Sequence, residues 1–258
     1  MNNKKIVGII PARMSASRFP GKPLAKIMDL PMVEHVRRRV CLSQAVDEVY
    51  VATCDEVIKE AVESYGGKVV MTSASHERCT DRVNEAAGNI QADIIVIIQG
   101  DEPLFFPEVI DGLVSPITAD KNTECTNLLS VIEDERDLQD IDVVKAVIDN
   151  EGYLMYYSRS VIPFFRVKES YPAYRQTGIS AFTKKFLDVF SNLPQTPKER
   201  VESVDFLRIL DHGYKILSSI YTQRTVGVDR QSDIKEVEGI LRNDPVQQSF
   251  YRKIAEMV

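Results

Sequence analysis

Arg13, Arg18 and Lys22 stand within ten residues of one another in Pro11-Ala-Arg-Met-Ser-Ala-Ser-Arg-Phe-Pro-Gly-Lys-Pro23. Three cations on a Ser-, Gly- and Pro-rich loop suit a polyphosphate, because arginine offers phosphate a bidentate fork and lysine a point charge. A solvated basic loop is the plain alternative. This loop, however, follows an apolar run in an acidic chain, the position at which α/β proteins bind ligands. It matches neither GxGxxG nor GxxxxGK[ST], so the Rossmann dinucleotide and P-loop readings lose support. A carboxylate comes next. Gln99-Gly-Asp-Glu-Pro103 follows the run Asp93-Ile-Ile-Val-Ile-Ile98, and Asp101 at the carboxyl end of such a strand is placed to hold a hard cation such as Mg²⁺ against phosphates. A turn or helix-cap acid is the other reading. Gly227-Val-Asp229 offers a second carboxylate, either for the same metal or as a cap-region acid ahead of Ser232. Sequence alone does not bring positions 101 and 229 together.

Strands alternating with helices must position these residues. Ile6 to Ile10 reads as a first buried strand, and Val33, Val36 and Val40 mark one helix face. Val46 to Ala52 reads as a second strand, and Ile58, Ala61, Val62 and Tyr65 form a helical stripe that Gly66-Gly67 ends. Thr53 and Glu56 have the spacing of a capping box for that helix. Lys68 to Met71 and Asp93 to Ile98 read as further strands. Glu124 to Ile132, Val143 to Asp149 and Tyr153 to Tyr157 read as strands of a different region, the last two joined through Asn150-Glu151-Gly152. Helices return at Lys198 to Leu210 and along Ile234, Val237 and Leu241. The fold class expected is α/β and Rossmann-like: a mostly parallel sheet flanked by helices, within one domain over 1–258 that carries a smaller mixed-sheet region at roughly 124–182.

Composition narrows the function. With 44% hydrophobic and 27% charged residues among 258, the chain is that of a soluble globular protein. Lys+Arg 32 against Asp+Glu 38 gives a net charge of −6, which argues against a general nucleic-acid or anionic-membrane binder but not against a basic loop holding a small anion. No run reaches the length of a membrane span, and the apolar run at the N-terminus is too short for a signal peptide. A cytoplasmic location is expected. Cys41, Cys54, Cys79 and Cys125, and His35, His76 and His212, are isolated in sequence, without zinc or redox spacing, so the thiols read as buried or half-buried.

The ordered set IIPAR…SRFPGKPL, VVMT, TDR, QGDEP, AVIDNEGYLMYYSRSVIP, TG-I-x-A-F and GVD, spread over nearly the whole chain, resembles 3-deoxy-manno-octulosonate cytidylyltransferase. That family makes the CMP-activated sugar of lipopolysaccharide cores; the CMP-sialate synthetases are more distant. The resemblance implies that Arg13, Arg18 and Lys22 grip the phosphates of CTP, and that Met71-Thr72 face cytosine and ribose. It places Gln99 beside the nucleotide and has Asp101 with Asp229 hold Mg²⁺. Arg159 would pair with the sugar carboxylate. A homodimer is implied, with the middle sheet-rich region forming much of the contact.

The chain departs from the family pattern where a His-x-Gly-Ile-Tyr strand becomes Gln176-Thr-Gly-Ile-Ser180, where a Glu-Gln pair becomes Asp205-Phe206, and where a Ser-Gly becomes Arg78-Cys79. The first two departures touch the sugar. Glu202 and Asp205, three apart on one expected helix face, could meet a cationic substituent, with Gln176 and Ser180 nearby. The expected substrate is therefore 8-amino-3,8-dideoxy-manno-octulosonate ahead of the unmodified sugar. A nucleotide-sugar glycosyltransferase and a non-catalytic nucleotide-binding regulator are the other classes; the first would more often carry Asp-x-Asp after Ile98.

Overall fold

Ile6–Ala12 is buried along its whole length and forms β1, the strand on which the first part of the molecule is built. The computed structural model describes residues 4–15, 19–167, 171–222 and 226–257. After β1 come a 3-10 turn at Lys22–Leu24, a ribbon of β2 (Lys26–Ile27) with β3 (Leu30–Pro31), and helix α1 (Met32–Val40). Then β4 (Glu48–Thr53), α2 (Glu56–Ser64), β5 (Lys68–Met71), α3 (Cys79–Gly88) and β6 (Ile94–Ile98) alternate. Next are α4 (Val109–Ala119), β7 (Cys125–Val131), α5 (Glu135–Gln139), β8 (Lys145–Ile148), β9 (Leu154–Ser158) and β10 (Tyr174–Thr183). They are followed by α6 (Lys184–Asn192), α7 (Pro197–Glu202), α8 (Phe206–Asp211), β11 (Leu217–Tyr221), α9 (Asp233–Asn243) and α10 (Pro245–Ala255).

Two compact units result: Met1–Asp111 with Thr225–Val258, and Gly112–Arg224. In the first, β6, β1, β4 and β5 lie side by side in that order, every pair parallel, with α1, α2 and α3 packed on them. β6, Ile-Ile-Val-Ile-Ile, is buried throughout, as a strand of a helix-covered parallel sheet must be. In the second unit β7 pairs with β11 in parallel and with β10 antiparallel; β8 pairs antiparallel with both β10 and β9. The α/β class and the inserted mixed sheet are as expected from sequence. The second unit, Gly112–Arg224, extends beyond 124–182 on both sides, taking in most of α4 before it and α6, α7, α8 and β11 after it. No described helix is long and apolar enough to cross a membrane. Of the four cysteines, none in a disulfide, Cys41 is exposed where a buried or half-buried thiol was expected.

Two local expectations are corrected. The helix read over Lys198–Leu210 is two helices: α7 ends at Glu202, Ser203 takes a left-handed φ of 54°, and Asp205 is the N-cap of α8. The helical period continues through this break because Val204 is buried and its N–H reaches back to the Glu199 carbonyl, a helix-ending closure rather than a helical turn. Glu202 and Asp205 therefore share no helix face. The Thr53/Glu56 capping box does not form either. Thr53 Oγ1 accepts the Asp55 N–H at 3.1 Å, and Asp55, not Thr53, is the N-cap of α2.

Candidate active site

The first unit gathers its charged residues at the carboxyl ends of β1 and β6 and on the segment ahead of α9. The loop after β1 is tied down at Met14, whose N–H donates to Asp55 Oδ2 at 2.8 Å and whose carbonyl accepts from Gly21 N–H at 3.0 Å. Gly21, at φ 75°, turns the chain as glycine readily does and delivers Lys22 into the 3-10 turn. Lys22 Nζ donates to Asp101 Oδ2 at 2.6 Å and to the Val228 carbonyl at 2.8 Å, and lies 4.0 Å from Asp229 Oδ1. The segments are locked by the Val228 N–H on the Asp101 carbonyl at 2.8 Å, and by a core of Ile27, Met32, Leu104, Val228, Val237 and Leu241. At Gly100 a Cβ would sit 3.3 Å from the Pro11 carbonyl, so the residue before Asp101 has little room for a side chain.

Positions 101 and 229 are thus brought to one ammonium. Asp233 Oδ2 collects the N–H groups of Asp229 and Arg230 at 2.9 and 2.8 Å, and the Asp229 side chain is half exposed. Arg13 follows β1 and is exposed; Arg18 lies outside the described residues. Lys22 Nζ already stands as a cation among hard oxygens, and two carboxylates with a carbonyl form a donor set that fits a magnesium ion.

A second group in the same unit surrounds Met71-Thr72. Met71 ends β5 and is exposed, whereas Thr72 is buried, its N–H on the Thr53 carbonyl at 2.9 Å. Arg82, buried on α3, donates through Nη1 to Thr72 Oγ1 at 2.5 Å and to the Ser73 carbonyl at 3.3 Å. Glu85 accepts the Ser73 N–H at 2.9 Å and pairs with His76. That backbone hydrogen bond foremost, with His76 assisting, holds the Glu85 carboxyl below its ordinary range. Gln99 donates through Nε2 to Cys79 Sγ at 3.8 Å, so the Cys79 departure touches a residue expected beside the nucleotide.

In the second unit Arg159 is braced on several sides. Its Nε donates to the Glu202 carbonyl at 2.7 Å, its Nη1 to the Ile141 carbonyl at 2.8 Å, and its N–H to Glu202 Oε2 at 2.9 Å. Glu202 Oε1 accepts the Ser158 hydroxyl at 2.7 Å. Both carboxylate oxygens of Glu202 are therefore engaged by the Ser158-Arg159 turn, which differs from the expected role facing a sugar substituent. Gln176 and Ser180 flank an irregularity in the pairing of β10 with β7, of the kind that re-aims side chains at functional sites. Thr177 Oγ1 donates to the Leu128 carbonyl, Asn127 Nδ2 to the Ile179 carbonyl, both at 2.9 Å, and the buried Tyr157 hydroxyl to Asn127 Oδ1 at 2.5 Å. Burial first, with the Asp205 charge contributing, pushes the Tyr157 phenol well above its ordinary range.

Sequence reasoning passed over Asp55, Arg82, Glu85 and Lys145. Asp55 carried the signal already used for Asp101, a carboxylate just past a parallel strand, and Arg82 lay within the Thr-Asp-Arg element. Lys145 was marked by a charge opening the apolar strand Ala-Val-Ile; it is fully buried, and burial lowers its pKa.

A family profile described as cytidylyltransferase matches residues 7–216. The chain is 43% identical over 244 residues to a 3-deoxy-manno-octulosonate cytidylyltransferase of Geobacter metallireducens, spanning 90% of this chain and 96% of that protein. It is 42% identical over 237 residues to an 8-amino-3,8-dideoxy-manno-octulosonate cytidylyltransferase of a Shewanella species, spanning 90% and 97%. The solved structure of a CMP:2-keto-3-deoxy-manno-octonic acid synthetase complexed with CTP superposes with a TM-score of 0.88 at 34% identity, covering 93% of this chain and 99% of that one.

Proposed function

This chain belongs to the cytidylyltransferase family, and we propose that it transfers CMP from CTP to the anomeric hydroxyl of a 3-deoxy-octulosonate sugar, releasing pyrophosphate, for lipopolysaccharide synthesis. The observation that carries the reading is the meeting of Lys22, Asp101 and Asp229 at the ends of β1 and β6. In the reaction the anomeric oxygen bonds to the α-phosphorus, the bond from α-phosphorus to the bridging oxygen breaks, and the hydroxyl proton passes to solvent. Such a transfer depends on positioning and charge neutralisation more than on covalent chemistry by the protein. Asp101 and Asp229 are the residues to hold Mg²⁺, which when bound supplies charge neutralisation to phosphate oxygens. Arg13, Arg18 and Lys22 are assigned to the phosphates and stabilise charge growing on the leaving pyrophosphate. Met71, Thr72 and Gln99 are assigned to the nucleoside. The nucleotide chemistry thus belongs to the first unit, and sugar recognition, through Arg159, to the second.

The 8-amino sugar stays the favoured acceptor, supported by the relatives named for it. Asp205, at the N-cap of α8, is assigned to its ammonium. The unmodified sugar is the second reading, favoured by the engagement of Glu202 with Ser158 and Arg159 and by the Geobacter relative. Competition between the two sugars for the purified protein, with CTP and Mg²⁺, decides between them by kcat/KM. Pyrophosphate release dependent on CTP and sugar separates the enzyme from a glycosyltransferase or a regulator, neither of which makes it. A homodimer is part of the proposal, supported by the exposed Met155, Phe164 and Val167 of the second unit, which a second copy would cover; light scattering in solution tests it. A cytoplasmic location fits four cysteines that form no disulfide.

A further inference from the structure

Arg159 ends in a guanidinium with Nε and Nη1 committed to the Glu202 and Ile141 carbonyls, while Nη2 has no partner among the described residues. A planar fork fixed on two of its nitrogens presents the third in one direction. The fixing groups are themselves built. Lys145, opposite Ser158 in the register of β8 with β9, sends its ammonium to three backbone carbonyls: Asp140 at 2.6 Å, Val143 at 2.9 Å and Arg159 at 2.7 Å. An ammonium has three N–H donors, so all are matched. One end of this clamp is Arg159 itself, and the other is the 140–143 segment whose Ile141 carbonyl receives Arg159 Nη1. Glu202 closes the opposite side, its two carboxylate oxygens on Ser158 and Arg159 N–H and its carbonyl on Arg159 Nε. The helix that presents Glu202 is fixed in turn. Glu199 and Arg208 form a buried bidentate pair at 2.8 and 2.6 Å, and Thr196 with Glu199 makes a capping box.

We propose that Lys145 and Glu202 are positioning residues that pre-set the Arg159 fork for the sugar carboxylate. Neither touches substrate, and Glu202 acts through its acceptor geometry rather than through its charge on the sugar. The inference deepens the proposed function and rests on its assignment of Arg159 to the sugar.

Steady-state kinetics of Glu202→Ala, Glu202→Gln, Lys145→Met and Arg159→Ala test it, each with both sugars, alongside thermal denaturation. Glu202→Ala and Lys145→Met are expected to raise the sugar KM by about tenfold or more, with the CTP KM within about twofold. Glu202→Gln is the conservative rescue: its Oε1 accepts from Arg159 N–H and its Nε2 donates to Ser158 Oγ, so the sugar KM stays near the parent value for the 8-amino and the 8-hydroxy sugar alike. Loss confined to the 8-amino sugar in Glu202→Gln overturns the inference, because the charge would then be meeting the sugar ammonium. A normal sugar KM in Glu202→Ala also overturns it, provided Arg159→Ala is impaired. If Lys145→Met fails to fold, the Glu202 set decides on its own. A normal sugar KM in Arg159→Ala instead overturns the assignment of Arg159.

Discussion

Around Lys22 in the first unit charge is balanced against charge, whereas in the second unit the Arg159 guanidinium is braced by backbone carbonyls. Lys22 is shared among Asp101, Asp229 and the Val228 carbonyl, with side-chain exposures of 14% for Lys22 and 51% for Asp229. Arg159 is held by carbonyls of Glu202 and Ile141, and the Glu202 carboxylate engages its N–H. Under the proposed function the difference follows from the work each group does. Phosphoryl chemistry moves negative charge toward the leaving group, so the groups that meet it must exchange partners as ligands arrive. Recognition of a carboxylate whose charge does not change during reaction gains from a fork already in place.

That contrast can be broken from either side. The largest expected effect is on stability in the second unit: Arg208→Met leaves Glu199, fully buried, without its counter-ion and costs about 3–5 kcal/mol. Denaturant unfolding measures it, and a change under about 1 kcal/mol would mean the pair does not anchor α7. In the first unit Asp101→Asn keeps shape and removes charge. Turnover should fall by two decades or more, about 3 kcal/mol, with little change in melting temperature. Near-normal turnover at saturating Mg²⁺ contradicts the assignment.

Acid sharpens the contrast by a different route. His35, buried in the first unit, has its pKa lowered from 6.5 to about 4, chiefly by burial. As pH falls below 6.5 the unfolded chain takes up this proton before the folded one. The contribution is therefore fully present above pH 6.5 and is lost between 6.5 and 4, by about 3 kcal/mol in all. His35→Gln should flatten that limb of the stability curve, and an unchanged slope rules His35 out as its source. Lys22→Met is the smallest: kcat/KM for CTP should drop by about 1.5–3 kcal/mol while the sugar KM moves far less. Equal losses on both substrates place Lys22 elsewhere.

Much of this was legible in the residues. The buried strand before Asp101 announced itself as five consecutive β-branched residues, and the cations after β1 by their crowding on a turn-rich loop. What periodicity could not supply was the break after Glu202. Val204 stays apolar and in phase with the helix, and the left-handed Ser203 has no sequence mark as strong as a glycine would give. That one turn moved Glu202 from a helix face toward ligand to the back of Arg159. Lys145 was missed for a related reason: its partners are carbonyls from segments 140–143 and 159, and backbone acceptors carry no residue signature. The convergence of 101 with 229 is tertiary, made by the core under α9, and no local pattern encodes it.

The central claim is that the anomeric oxygen of an octulosonate sugar attacks the α-phosphorus of CTP. Sugar carrying oxygen-18 at the anomeric hydroxyl, incubated with the purified protein, CTP and Mg²⁺ and followed by phosphorus NMR, tests it most directly. The account predicts an isotope-shifted CMP-sugar phosphorus signal, formed in step with unlabelled pyrophosphate. A CMP-sugar without the label at phosphorus, or no pyrophosphate with either sugar, would contradict it.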